Sequence, residues 1–191
     1  MDKYRIDKQG LWDILEAWGP FFPKKVRVVA CGGTALTIQD LKESTKDVDF
    51  LVPDVEDYKA LLGTIERLHY RQVTGSGWAR DDGFIFDLFK GKVIFQTELL
   101  DSPLDEGNHI PIKTFKKLEV SALNDLDLII SKMFRGDEVD VEDCLRLIAG
   151  RGKAFDLDKL KERYKETASY TLRPESMMKN LDLLLAELKD E

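Results

Sequence analysis

The chain has 191 residues, 43% hydrophobic and 34% charged, with a formal net charge of −7. That length suits one large domain, or a domain with an appendage, of ordinary soluble globular composition. The acidic balance excludes a broad basic footprint for bulk nucleic acid but permits a local basic groove.

In chain order, Met1-Asp2-Lys3-Tyr4-Arg5 leads into no apolar run, so no signal peptide is expected. Leu11, Ile14, Leu15 and Trp18 recur at helical spacing, and Gly19-Pro20 stops that helix. Residues 26–31 are mostly apolar and β-branched, which predicts a buried strand ending at Cys31. Gly32-Gly33-Thr34 turns the chain into a short helix reaching about residue 41. Residues 47–52 form a second strand, which Pro53 ends. Val48, Phe50 and Val52 share its core face, so Asp47 and Asp49 point the other way together. Asp54 fits an N-cap for a helix carrying Val55, Tyr58, Leu61, Leu62, Ile65 and Leu68.

Strand-like pieces follow at 70–74, 84–89 and 93–98, separated by Gly75-Ser76-Gly77 and by a hairpin turn at Asp81-Asp82-Gly83. Residues 101–117, with Pro103, Gly107 and Pro111, read as loop. Beyond them the pattern is helical: 123–134, 141–149, 157–167 and 174–188, with Pro174 in a first turn. The fold class is α+β, a mixed sheet with flanking helices over residues 1–117, followed by a helical segment over 118–191 packed on it. No apolar run reaches the roughly 20 residues that span a bilayer.

The chemistry concentrates at Asp47-Val48-Asp49, thirteen residues after Gly32-Gly33. A third acid, Asp87, lies within Ile85-Phe86-Asp87-Leu88-Phe89. Two carboxylates on one strand face and a third from another strand can hold two divalent cations about 3.5–4 Å apart, as phosphoryl and nucleotidyl transfer require. The glycine pair offers bare backbone N–H groups to a phosphate. An isolated Asp-x-Asp is usually a turn or a cap, but here Val48, Phe50, Leu51 and Val52 surround it.

Other residues read more plainly. Cys31 and Cys144 belong to no Cys-x-x-Cys pair and fit buried free thiols in a reducing cytoplasm. His69 and His109 lack metal-ligand spacing. Asp140 and Asp143 fit an N-cap and a first-turn acid. Trp78 beside Arg80 is the aromatic best suited to stack on a base or an RNA acceptor, although a core role for the aromatics is simpler.

Gly32-Gly33, Asp47-Val48-Asp49 and Asp87, in this order, resemble the nucleotidyltransferase superfamily of DNA polymerase β type. Cys31-Gly32-Gly33-Thr34-Ala35-Leu36, Thr45 to Phe50, Ser131-Lys132-Met133-Phe134-Arg135 and Asp140-Val141-Glu142-Asp143 are similar to small prokaryotic nucleotidyltransferases related to AbiEii toxins. The resemblance implies transfer of a nucleoside monophosphate from a nucleoside triphosphate to an acceptor hydroxyl in RNA, protein or a small molecule. It implies Mg²⁺ or Mn²⁺ on Asp47, Asp49 and Asp87, with Asp87 also helping to deprotonate the acceptor. Gly32 and Gly33 would contact the triphosphate. Lys132 would lie near phosphate or acceptor, and Arg135, Asp140 and Asp143 would brace that helical element. Many relatives carry a phosphate-binding Ser at position 33, a role left open to Thr34 in this chain, and many carry Arg where this chain has Lys42. A catalytically inactive nucleotide-binding module of antitoxin type is the alternative, and an aminoglycoside-modifying enzyme is a third reading.

Overall fold

Apolar spacing and side-chain caps set most of the elements in the computed structural model, which describes residues 5–80 and 83–190. Residues 1–4, and with them most of the expected N-terminal segment, lie outside the described residues, as do the two aspartates of the turn expected at 81–83. The strands are β1 (Ile6–Asp7), β2 (Val26–Ala30), β3 (Ser44–Thr45), β4 (Val48–Val52), β5 (Arg71–Gln72), β6 (Gly77–Ala79), β7 (Ile85–Lys90), β8 (Val93–Ile94), β9 (Thr97–Glu98), β10 (His109–Phe115) and β11 (Leu118–Leu123). The helices are α1 (Lys8–Trp18), α2 (Gly32–Ile38), α3 (Val55–Arg67), α4 (Asp125–Met133), α5 (Glu138–Arg151), α6 (Leu157–Ser169) and α7 (Pro174–Asp190).

Seven strands form one mixed sheet in the order β10-β11-β2-β4-β7-β6-β5. The pairs β11–β2 and β4–β7 are parallel and the others antiparallel. All five residues of β4 are buried, because α2 and α3 both pack on this central strand. Trp18 of α1 packs on Tyr70 and Phe86 with ring centroids 5.2 and 4.7 Å away. Each such fully buried large apolar side chain contributes about 1.5–3 kcal/mol by leaving water. Asp54 caps α3 as its spacing predicts, accepting from the N–H groups of Glu56 and Asp57, both at 2.9 Å.

The segment expected as loop at 101–117 holds a strand. β10 pairs antiparallel with β11 across a turn in which Lys116 takes a left-handed φ of 56°. β10 is an outermost strand, largely exposed, with a register shift beside Pro111, so it lacks the alternation that marks a half-buried strand. β11 then lies inside the sheet, and the wholly helical run begins at Asp125 after the Asn124 cap rather than near residue 118. The strand expected over 93–98 is instead a hairpin, β8 and β9 joined by Phe95 and Gln96.

The helices are tied together by charge. Arg163 of α6 donates to both oxygens of Asp127 on α4, at 2.6 and 2.9 Å. Arg151 at the end of α5 does the same to Asp125, at 2.7 and 2.9 Å. No helix among the described residues is long and apolar enough to cross a membrane.

Candidate active site

β4 and β7 run parallel with Asp49 beside Asp87 in register, so adjacent strands bring two carboxylates to one place. Asp47 sits one residue before β4, in the approach to it. Thr34 clamps this corner: its Oγ1 donates to the Asp47 carbonyl at 3.2 Å and accepts from the Asp49 N–H at 2.9 Å. Gly32 makes the clamp possible. It has a φ of +54°, and a Cβ there would fall 2.2 Å from Asp49 Oδ2.

A cavity of about 480 Å³ is lined by Gly33, Asp47, Asp49, Asp87 and Lys132, together with Lys42, Lys46, Phe95, Arg135, Asp140 and Asp143. That volume lies within the usual range of ligand sites, about 300–1,000 Å³. Larger cavities of about 880 and 750 Å³ lie nearby, but neither is lined by Asp49 or Asp87. Gly32 and Thr34, expected at the phosphates, stand behind the cavity wall. Thr34 is fully buried with its hydroxyl committed to the backbone of Asp47 and Asp49.

The three aspartates act on one another. Burial pushes the Asp49 carboxyl up to about 7, with the Asp87 charge adding to the effect. Burial and then Asp87 also push Asp47 up. Asp87 Oδ1 accepts from Ser76 Oγ at 2.7 Å. The carboxylates of Asp47 and Asp49 accept no hydrogen bond among the described residues, although Asp49 is only 6% exposed.

The facing wall carries cations. Lys132, only 2% exposed, donates to Asp140 at 3.2 Å and to Asp143 at 2.8 Å. Lys42 reaches both oxygens of Asp143, at 2.8 and 2.9 Å, from 101 positions away. Arg135 grips Asp140 with Nε at 3.0 Å and Nη2 at 2.7 Å. Three cations thus share two carboxylates, with Asp137 beside Arg135 as a third acid on the lining. Burial alone would raise Asp140, but Arg135 and Lys132 hold it below the usual carboxylate range. Asp137, not Asp140, occupies the N-cap position of α5; Asp140 lies in the first turn and Asp143 beyond it, and both point into this ion cluster.

Among the described residues, no three His, Cys, Asp or Glu side chains are gathered closely enough to enclose a metal ion. The expected convergence of all three aspartates on one centre is thus incomplete, with Asp87 drawn to Ser76. The donors still fit a hard divalent cation. Mg²⁺ is usually held by one or two carboxylates plus waters and substrate phosphates rather than by a protein cage. Asp47 and Asp49 offer carboxylate oxygens without competing donors, and a cation would relieve both their burial and the repulsion from Asp87.

Sequence reasoning missed several lining or supporting residues. Ser76 had a signal in its Gly-Ser-Gly setting, and Lys42 was marked only as a departure from the Arg of many relatives. Phe95 had none. Trp78 is buried in the sheet at 6% exposure, in keeping with the simpler core reading of the aromatics rather than the stacking alternative, and Arg80 lies over the Tyr70 ring.

No curated protein matches this chain. Among solved structures, the solution structure of the antibiotic-resistance factor ANT(2'')-Ia matches with a TM-score of 0.57 at 15% identity, over 86% of this chain and 94% of that one. The crystal structure of ANT(2'')-Ia in complex with adenylyl-2''-tobramycin gives 0.56 at 15% identity, over 85% and 97%. These likenesses establish the α+β nucleotidyltransferase-like fold. The profile of the family described as "Nucleotidyltransferase of unknown function (DUF6036)" matches residues 21–191. A match over that much of the sequence settles the family, and this chain belongs to it as a nucleotidyltransferase.

Proposed function

We propose that this chain moves a nucleoside monophosphate from a nucleoside triphosphate to an acceptor hydroxyl and releases pyrophosphate. The observation that carries the reading is one cavity with Asp47, Asp49 and Asp87 on one wall and Lys42, Lys132 and Arg135 on the other. The triphosphate lies against the side that carries Lys42, Lys132 and Arg135. Gly33 lines the cavity and lets the start of α2 approach the phosphates closely. Lys132 acts mainly through its two carboxylates, which fix the cationic wall before substrate arrives.

Asp47 and Asp49, with Asp87, would hold Mg²⁺ or Mn²⁺. A bound cation would neutralise charge on the α-phosphate and the leaving pyrophosphate. The acceptor oxygen bonds to the α-phosphorus as the bond from that phosphorus to the bridging oxygen breaks, and pyrophosphate leaves with the electron pair. Asp87 takes the hydroxyl proton. Ser76 holds its Oδ1, and Oδ2 accepts no hydrogen bond among the described residues.

The relationship to AbiEii toxins rests on Lys132, Arg135, Asp140 and Asp143, which the fold joins in one cluster. The neighbour seen with an adenylylated aminoglycoside adds amino sugars to the acceptors worth testing. The test is incubation with Mg²⁺ or Mn²⁺, α-labelled triphosphates, and total RNA, cell protein, small alcohols or aminoglycosides. Transfer of label is expected, and Asp49→Asn should lower it about a hundredfold or more with an unchanged unfolding midpoint. Triphosphate binding without transfer to any acceptor would instead indicate the inactive module.

A further inference from the structure

We propose that Phe95 is the platform on which the base of the nucleoside triphosphate stacks, an inference that rests on the nucleotidyl transfer proposed above. Phe95 lines the same cavity as Asp47, Asp49 and Asp87 and is the one aromatic residue on its described lining. Its other walls are mostly charged. Yet Phe95 is 43% exposed, a large apolar surface on this charged lining, with the Arg135 guanidinium over one ring face. A flat base would cover that surface.

The ring is held, not loose. Phe89 packs edge-on with centroids 4.7 Å apart, and the Arg135 guanidinium carbon stands 4.4 Å from the ring centroid. Arg135 is itself clamped by Asp140. The turn is anchored as well, because Gln96 Nε2 donates to the Phe134 carbonyl at 2.6 Å.

Backbone does not explain a phenylalanine here, and its packing on Phe89 still leaves much of the ring exposed. Phe95 and Gln96 form a two-residue hairpin loop, and Phe95 has a φ of +52°. Glycine, asparagine or aspartate suits such a position far better. A strained, solvent-facing aromatic that the fold tolerates at a cavity points to ligand contact. The donor nucleotide necessarily brings one planar aromatic group, whereas an acceptor hydroxyl need not, so the base is the partner assigned. Stacking of this kind tolerates all bases, with purines favoured by their larger face.

The full chain is titrated calorimetrically, with Mg²⁺, against non-hydrolysable ATP and CTP analogues and against tripolyphosphate, which lacks a base. The variants are Phe95→Gly, which removes the ring while relieving the left-handed backbone, and Phe95→Trp, which keeps a flat face. Phe95→Gly should weaken both nucleotides about tenfold or more, leaving tripolyphosphate unchanged. Phe95→Trp should retain or tighten nucleotide binding. Wild-type affinity for nucleotides in Phe95→Gly overturns the platform but leaves the transferase reading standing. An equal loss of tripolyphosphate overturns it too, because the turn and not the ring would then matter. Failure of the wild-type chain to bind either nucleotides or tripolyphosphate overturns both proposals.

Discussion

A glycine pair ahead of an Asp-x-Asp reads in the sequence as a phosphate cradle, and the coordinates give its two members different tasks. Gly33 lines the cavity and leaves room for Thr45, whose Oγ1 lies 2.6 Å from where a Cβ would fall, whereas Gly32 leaves room for the Asp49 carboxylate. Gly32→Ala should therefore cost about 1–3 kcal/mol from the left-handed backbone alone, and it should displace Asp49 and abolish transfer. Gly63→Ala is the control. It lies mid-helix in α3 with open space where a Cβ would go, so it should gain about 0.5–1 kcal/mol and leave activity intact. Urea unfolding beside the label-transfer assay checks both, and equal stabilities for the two variants would refute the packing argument. The acids were legible because Asp is out of place in an apolar strand. Thr34 was legible as important but not in its role, because a hydroxyl that clamps backbone looks the same in sequence as one that binds phosphate. Phe95 was illegible, since a φ above zero leaves no mark when the residue is not glycine.

Helices with strong apolar stripes were legible in place and type, among them α1, α3 and α7, because burial on one side is what such a stripe means. The missed elements are those whose partners lie far away in sequence. β11 is buried by β2, some ninety positions earlier, and β10 survives only as its exposed neighbour. Lys42 and Asp143 make the same point for charge. One precedes β4 and the other lies on α5, yet together with Lys132 they fasten the sheet to the helices. Asp143→Ala would leave the Lys132 side chain, 3% exposed, and that of Lys42, 16% exposed, without their shared carboxylate. Lys132 keeps Asp140, so the expected loss is about 3 kcal/mol, the low end for breaking a buried pair. Chemical denaturation measures it, and a loss below about 1 kcal/mol would place the cluster in the class of solvent-screened pairs.

Taken as one polyelectrolyte, the chain carries an excess of acid that it manages in two opposite ways. At the cavity, burial and crowding hold Asp47 and Asp49 up, so their charge awaits a cation. Away from it, Asp57 is held down. Burial alone would raise it, but Lys24 Nζ donates to it at 2.7 Å, and Arg27 donates through its backbone N–H at 3.2 Å and Nε at 3.1 Å. Those bonds tie α3 to β2 and the segment before it. The sign of the consequence is fixed. A carboxyl that is lower in the folded chain than its ordinary value of 3.8 gives its full stabilisation above that value. The stabilisation drains away as pH falls through the folded value, because the unfolded chain takes up its proton first. Asp57→Asn should therefore be less stable than wild type at neutral pH, with the two stabilities converging as pH falls below the ordinary carboxyl value of 3.8. Urea midpoints across that window test the point. A constant gap down to low pH would mean that shape rather than charge holds α3 to β2.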